Sequence, residues 1–397
     1  MKNTALAILE KIVGLTKPRK KFMQEIFNTL FALRGRVNFL NLARWGLYHE
    51  QTYRRHFQKP FPWTDFNFLL LEKFIKPDRA IIAIDCTFTP KSRKKTYGIG
   101  RFWSSLMNQT ALGLEISVIS IVDTVRNIAF SINARQTPPL PEEDSRIDFY
   151  LEQIRQIKDK LLPWSKVIVA DGFYAKKKFV DGCIEMGFSI ISKLRCDANL
   201  RFLYEGDHPK RRGRKKKYDG KVSFDDLSRF QKVTDLEEGI SLYTSVVYSI
   251  SLKREIRLVL LYDTNTKTKK KYAILFSTDV SQSALMIYQH YKSRFQIEFH
   301  FRDAKQYAGF EHCQSVKKES LDFHFNASLT TINLAKYEMI KIKTEDPQSN
   351  ISLFDLKREY ENKLILDKFI EWLELDRYTI YQHPNISLLI HLGKKTA

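Results

Sequence analysis

Apolar positions divide the chain into three regions of different rhythm. Residues 1 to 78 repeat at helical spacing, in Ala5 to Leu15, Phe22 to Leu33 and Val37 to Leu47, so this region is expected to be a set of amphipathic helices. From residue 79 the rhythm changes to short continuous apolar runs. Arg79-Ala-Ile-Ile-Ala-Ile-Asp85 and Lys166-Val-Ile-Val-Ala-Asp171 share one pattern, an apolar run too short for a helix that ends in Asp. Such runs predict central strands covered on both faces of an α/β sheet. Extended segments at Gly113 to Asp123 and Asn127 to Ala134, helices at Pro141 to Leu162 and Ala175 to Met186, and a strand at Phe188 to Lys193 complete a mixed five-stranded core. Residues 196 to 279 break the alternation. Thr244 to Ser251, Arg254 to Tyr262 and Tyr272 to Thr278 are β-rich, with a turn at Asp263 to Lys267, and predict an inserted β domain. Helices then return, from the Glu298 segment and from Ser320 to the C-terminus.

The helical pattern from Tyr291 to Lys305 is unusual. Tyr291, Arg294, Glu298 and Lys305 are spaced by three, four and seven residues. At about 100° per residue, these four and Arg302 fall within an arc of roughly 80°. Phe295, Phe299, Ile297 and Phe301 flank the arc, and Lys292, Gln296, His300 and Asp303 form a second polar arc opposite. An ordinary surface helix has one apolar and one polar stripe. One explanation is a helix with ion pairs from Arg294 to Glu298 and from Glu298 to Arg302. The other is a carboxylate held among cations and aromatics in a cleft. Asp85 and Asp171 favour the second, because carboxyl ends of strands are where open α/β sheets build sites. Strand-end Asp is also common turn chemistry, and Asp123 is a third instance.

Charge extends this picture. With 66 Lys plus Arg against 45 Asp plus Glu, the net charge is +21, which favours a polyanionic partner. Pro209-Lys-Arg-Arg-Gly-Arg-Lys-Lys-Lys217, with Lys215, Lys216 and Lys217 at its end, and Lys267-Thr-Lys-Lys-Lys271 are basic runs suited to backbone phosphates. No apolar stretch approaches the roughly 20 residues of a spanning helix, and Glu10 and Lys11 interrupt the N-terminal apolar segment before a signal-peptide core forms. The cysteines Cys86, Cys183, Cys196 and Cys313 lack paired spacing, which indicates neither a zinc site nor a disulfide framework and fits a reducing cytoplasm. Gly98-Ile-Gly100 lacks a third glycine at the right spacing, and neither a Gly-x4-Gly-Lys-Ser/Thr run nor a Gly-x-Ser-x-Gly elbow occurs. ATP-driven motors, dinucleotide enzymes and elbow hydrolases are therefore disfavoured. Asn38 to Gly46 followed by Glu50 to Phe57 reads as helix, turn, basic helix. This suits a helix-turn-helix with Gln51, Arg54, Arg55 and Gln58 toward DNA; three packed helices without a DNA role would show the same periodicity.

Together these motifs resemble those of the DDE transposases of bacterial insertion sequences, in the IS-four group with the signature Tyr-x2-Arg-x3-Glu-x6-Lys. Tyr291, Arg294, Glu298 and Lys305 fill that signature, Asp85-Cys-Thr87 is similar to the family's Asp-x-Thr, and Asp171-Gly-Phe173 to its Asp-x-Phe. The resemblance implies a ribonuclease-H-like core in which Asp85, Asp171 and Glu298 hold two Mg²⁺ or Mn²⁺ ions, about 3.5 to 4 Å apart in two-metal sites. It further implies that Arg294, Lys305 and Arg302 meet DNA phosphates and that Tyr291 stacks a displaced base. The expected domains are a helical unit at 1–78, core parts at 79–195 and 280–342, the β-rich insertion at 196–279 and a helical region at 343–397. The expected activity is cleavage of double-stranded DNA at element ends and joining of the 3′-hydroxyl ends to a target, by a homodimer in the DNA complex, in the bacterial cytoplasm at the nucleoid. A ribonuclease-H-like hydrolytic nuclease without joining, and a non-catalytic transposase-derived DNA-binding protein, are the rival readings.

Overall fold

The computed structural model describes residues 1–104, 107–139, 143–207, 215–237, 239–265 and 272–395. The N-terminal helices are α1 (Lys2–Leu9), α2 (Lys17–Ala32), α3 (Phe39–Trp45), α4 (Glu50–Phe57) and α5 (Trp63–Leu71). Their starts are local. Thr16 caps α2 and Asn38 caps α3, each accepting from an amide three residues on, which satisfies donors that the first helical turn leaves free.

The sheet begins with β1 (Ala80–Pro90), β2 (Gly100–Ser104), β3 (Gln109–Asp123) and β4 (Ile128–Thr137), followed by α6 (Glu143–Leu161), β5 (Val167–Ala170), α7 (Lys177–Glu185) and β6 (Ser189–Leu194). β1 lies between β3, which is antiparallel to it, and β5, which is parallel; β6 runs parallel to β5, and β4 antiparallel to β3. The two apolar runs ending in Asp are thus neighbouring central strands, as their continuous burial demands. Odd-numbered Ile81, Ala83 and Val169 join one apolar cluster, and even-numbered Ile82, Ile84, Ile168 and Ala170 join the other, with Ile154 of α6 and Phe179 of α7.

The β-rich stretch forms β7 (Leu200–Leu203), β8 (Tyr218–Lys221), β9 (Gln231–Glu237), β10 (Ile240–Ser249), β11 (Arg254–Asp263) and β12 (Tyr272–Ser277). These strands continue the core sheet: β12 pairs with β6, and the order β2-β3-β1-β5-β6-β12-β11-β10-β7-β8 makes one sheet of twelve strands among the described residues, with β4 on β3 and β9 on β10. Phe202, Phe224 and Leu258 share a buried cluster with Ile82 and Ile168.

The chain then returns through α8 (Ala284–Arg294), α9 (Gln296–Tyr307) and the long α10 (Lys318–Glu345), and ends in α11 (Leu353–Trp372), α12 (Arg377–Gln382) and α13 (Ile386–Ile390). Ile297, Phe301 and Ala304 of α9, with much of α10, cover the cluster containing Ile81, Ala83 and Val169. Here the structure corrects the single helix expected from Tyr291 to Lys305. The Phe295 amide bonds the Lys292 carbonyl and the Glu298 amide bonds the Phe295 carbonyl, three-residue reaches that tighten the turn and divide the segment into α8 and α9. No helix of the described residues is long and apolar enough to cross a membrane.

Candidate active site

The register of β1 and β5 brings the two aspartates side by side. Ile84 pairs with Ala170, so Asp85 and Asp171 are the next residues on adjacent parallel strands. Both share the parity of Ala83 and Val169, which places them on the face covered by α8 to α10. Asp171 ends its strand as expected for turn chemistry: its Oδ1 accepts from the Phe173 amide at 2.9 Å, and its carbonyl accepts from the Ser192 hydroxyl at 2.7 Å. The cap and the site position are thus the same residue. Asp85 Oδ1 accepts from the Cys86 amide at 2.8 Å, leaving Oδ2 toward the helices.

Arg294 joins the acids. Its Nη1 donates to Asp85 Oδ2 at 2.8 Å and its Nη2 to Glu298 Oε1 at 2.9 Å. The guanidinium is buried and lies 5.7 Å from the Tyr291 ring centre and 4.9 Å from that of Phe295. Burial works against its charge, yet Asp85, Tyr291, Glu298 and Asp171 together hold its proton more tightly than usual. Burial pushes the Asp85 carboxyl up to about 7 against the pull of Arg294, and the nearby Asp171 and Glu298 charges push the same way. Burial likewise raises the Tyr291 hydroxyl. Tyr291, Arg294, Asp85, Asp171 and Glu298 therefore form one electrostatic unit.

Lys305, two turns along α9 from Glu298, donates to the Phe88 carbonyl at 2.9 Å and pairs with Glu311 at 2.9 Å. It fastens α9 to β1 just past Asp85. Arg302 is exposed, stands 5.0 Å over the Phe299 ring and pairs with Asp303 at 3.2 Å. Two groups of residues lie behind the site; His300 and Asp303 belong to the second polar arc seen in the sequence, whereas Tyr150, Glu115, Tyr174 and Lys336 carried no signal there. Tyr150 donates to Glu115 at 2.6 Å, and Cys86 meets the Tyr174 hydroxyl at 3.4 Å on the opposite sheet face. Behind α9, buried Lys336 contacts Asp303 at 3.2 Å and His300 Nδ1 at 3.1 Å. His300 is buried, and burial, with the Lys336 charge, keeps its ring well below its usual range.

The remaining predicted DNA contacts are carried by other elements than the acids. On α4, Tyr53 and Phe57 face inward, while Gln51, Arg54, Arg55 and Gln58 are exposed. Arg54 is partly engaged, paired with Glu50 and 4.8 Å over the Phe39 ring. Lys215, Lys216 and Lys217 are exposed, with Lys216 paired to Asp219 at 2.7 Å and 4.5 Å over the Tyr204 ring. Residues 209 to 214 of that run, and the whole run from Lys267 to Lys271, lie outside the described residues. A cavity of about 1070 Å³, lined by Lys21, Glu338, Tyr360, Lys363 and Arg377 among others, contains none of the site residues.

The carboxylate oxygens suit a hard divalent cation, but their present arrangement does not form a bare ligand set. Among the described residues, no group of three or more His, Cys, Asp or Glu is placed to hold a metal ion; between Asp85 and Glu298 stands the Arg294 guanidinium, itself a cation.

Residues 143–334, just under half of the chain, match the family described as transposase DDE domain. The match contains Asp171, Tyr291, Arg294, Glu298 and Lys305 and begins after Asp85, and it supports a DDE transposase. The chain is also similar to a solved structure titled "Cryo-EM structure of piggyBac transposase synaptic complex with hairpin DNA", with 12% identity, 99% of this chain and 82% of that chain covered, and a TM-score of 0.44. No curated protein matches.

Proposed function

We propose that the chain is a DDE transposase of the insertion-sequence type, which cuts DNA at element ends and joins the freed 3′-hydroxyls to target DNA. The observation that carries this reading is the convergence on Arg294 of Asp85 from β1 and Glu298 from α9, with Asp171 in register beside Asp85. The β4-β3-β1-β5-β6 portion of the sheet, with its acids at the carboxyl ends of β5 and within β1, is read as the ribonuclease-H-like core. Asp85, Asp171 and Glu298 would hold two Mg²⁺ or Mn²⁺ ions, whose chemistry is to offset charge on the scissile phosphate and to acidify the attacking oxygen. For this the Arg294 side chain must leave the position between Asp85 and Glu298. A phosphate next to the scissile one is the natural new partner for its planar fork. Lys305 fixes α9 against β1 at Phe88, three residues past Asp85, and would meet a phosphate of the bound strand. Tyr291 offers its ring to an unpaired base.

Residues 1–78 are read as the unit that recognises element ends through Arg54 and Arg55 on α4, and Lys215 to Lys217 as sequence-independent phosphate contacts in the 196–279 insertion. Two ends joined in one reaction require at least two copies of the chain in the DNA complex. The test is cleavage of end-containing DNA in Mg²⁺ or Mn²⁺. Asp85→Ala, Asp171→Ala and Glu298→Gln should each abolish cleavage and leave DNA binding nearly intact, because residues of such a site act as a unit. Full cleavage by any one variant removes that residue from the site. Cleavage without transfer of a labelled 3′-hydroxyl end would replace the transposase reading with a hydrolytic nuclease.

A further inference from the structure

β2 and the first residues of β3 form an antiparallel arm that continues beyond the catalytic end of the sheet. β1 pairs with β3 from Asp123 to Gly113, and β2 then pairs with β3 from Gly113 to Gln109. At about 3.3 Å per residue, the five residues from Asp85 to Pro90 carry the sheet roughly 17 Å past the acid, and the arm extends roughly another 13 Å. Gly113 is where the three strands meet. A side chain there would come within 2.4 Å of the Thr89 carbonyl and 2.6 Å of the Phe88 ring, so the close approach of the arm to β1 depends on this glycine.

The direction of the arm's side chains follows from the uninterrupted register. Asp85 pairs with Val118, so even-numbered residues of β3 share the face of the acids. Counting along β3 puts Leu112 and Thr110 on that face, and their partners Arg101 and Trp103 with them. All four are exposed. Phe102 points to the opposite face, where Arg146 of α6 lies 5.8 Å from its ring. Trp103 is 57% exposed on an edge strand, with exposed Leu112 and Met107 nearby. An exposed apolar edge of this kind is a liability unless something covers it.

Charge identifies what covers it. From Cys86 to Leu114 the chain carries Lys91, Arg93, Lys94, Lys95 and Arg101 and no Asp or Glu. Lys91 is engaged with the Cys313 carbonyl, whereas Arg93, Lys94, Lys95 and Arg101 are exposed. Two copies of this surface would bring like charges together. A polyanion with flat apolar faces fits it instead, because aromatics interleaved with cations are what unpaired nucleic acid uses for stacking and backbone neutralisation.

We propose that the β2–β3 arm grips the DNA strand leaving the acid cleft, with Trp103 stacked on an unpaired base and Arg101, Arg93, Lys94 and Lys95 on the phosphates. This rests on the reading of the chain as a DNA-cutting transposase. It places a second stacking surface on a different element from Tyr291. The experiment uses the full chain with fluorescently labelled forked DNA and with a blunt duplex of the same length. Trp103→Ala should weaken binding to the fork about 5- to 150-fold, the loss expected for one base stack, and weaken duplex binding much less. Trp103→Phe should retain most of the fork affinity. Arg101→Ala combined with Lys94→Ala and Lys95→Ala should weaken both and lower the salt dependence of binding. Wild-type fork affinity in a folded Trp103→Ala protein overturns the inference. So does a Trp103→Ala protein whose sedimentation shows a lost dimer while its fork affinity is unchanged, since the patch would then cover a second copy. If the wild-type chain binds neither DNA, the transposase reading itself fails.

Discussion

Replacing Arg294 with Met tests the charge arrangement at the centre of the site. The Arg294 side chain is 6% exposed, that of Asp85 17% and that of Glu298 46%. Removing one partner of a buried pair costs about 3–5 kcal/mol when the other stays charged, whereas the half-exposed Glu298 contact contributes only about 0–1 kcal/mol. Asp85 can avoid part of this cost by taking up a proton. Its folded-state value, about 7, lies above the ordinary 3.8, so the native state binds a proton that the unfolded chain has released. Wild-type stability from this group is therefore highest below about pH 4, falls through the window up to about pH 7, and levels off above it. Arg294 holds the Asp85 carboxyl down, so without it that value rises further, and the variant keeps losing stability where the wild type has levelled. The deficit should be about 1–2 kcal/mol near pH 5.5, for lost hydrogen bonds and packing, and grow by up to about 1.4 kcal/mol per pH unit above about 7. Urea unfolding of both proteins in EDTA, at about pH 5.5, 7 and 8.5, followed by circular dichroism, measures this. A deficit that is the same at all three values would refute the coupling of Arg294 to Asp85.

Gly309 follows α9 with a φ of 62°, and a Cβ there would come within 2.4 Å of Val37 Cγ2. Gly309→Ala should therefore lower stability by about 2–4 kcal/mol, strain and overpacking together; an unchanged thermal midpoint would show that α9 and the Val37 segment yield freely. Lys336→Met leaves buried Asp303 with, among the described residues, the exposed Arg302 as its cation partner and should cost about 2–4 kcal/mol. Adding Asp303→Leu should recover most of that loss in denaturant unfolding, and a further loss in the double variant would contradict a simple charge-pair account.

The central strands were legible because β1 and β5 are buried on both faces, and only a strand covered on both sides has a reason to be apolar without interruption. Boundaries set by pairing were less so. β6 pairs with β12 through Leu194 and Ile274, residues far apart in sequence, and nothing local in either strand announces that the β-rich stretch continues the core sheet. β2 is not legible in the sequence for a related reason. Gly100 to Ser104 is short, and its alternation acquires meaning only once Phe102 has α6 on one side and Trp103 has solvent on the other. The division at Phe295 has no proline or glycine to mark it and rests on two three-residue hydrogen bonds.

At the site, two explanations of one helix face that compete on paper turn out to be compatible. The Arg294–Glu298 ion pair expected of an ordinary amphipathic helix is present, and the same guanidinium reaches across to Asp85. Periodicity could place Arg294 and Glu298 on one face, but it could not supply the third partner, which comes from a strand more than two hundred residues earlier. The reason for the three-way contact is electrostatic. The charges of Asp171 and Glu298 repel that of Asp85, and burial of Asp85 adds the cost of removing charge from water. A proton on Asp85 and the fixed charge of Arg294 relieve both effects, at the expense of filling the space a metal ion would need. On the proposed reading, the arrangement that keeps the acids together is the one that metal binding would have to undo. An incoming phosphate that draws Arg294 away would make the acids available at the moment the substrate arrives.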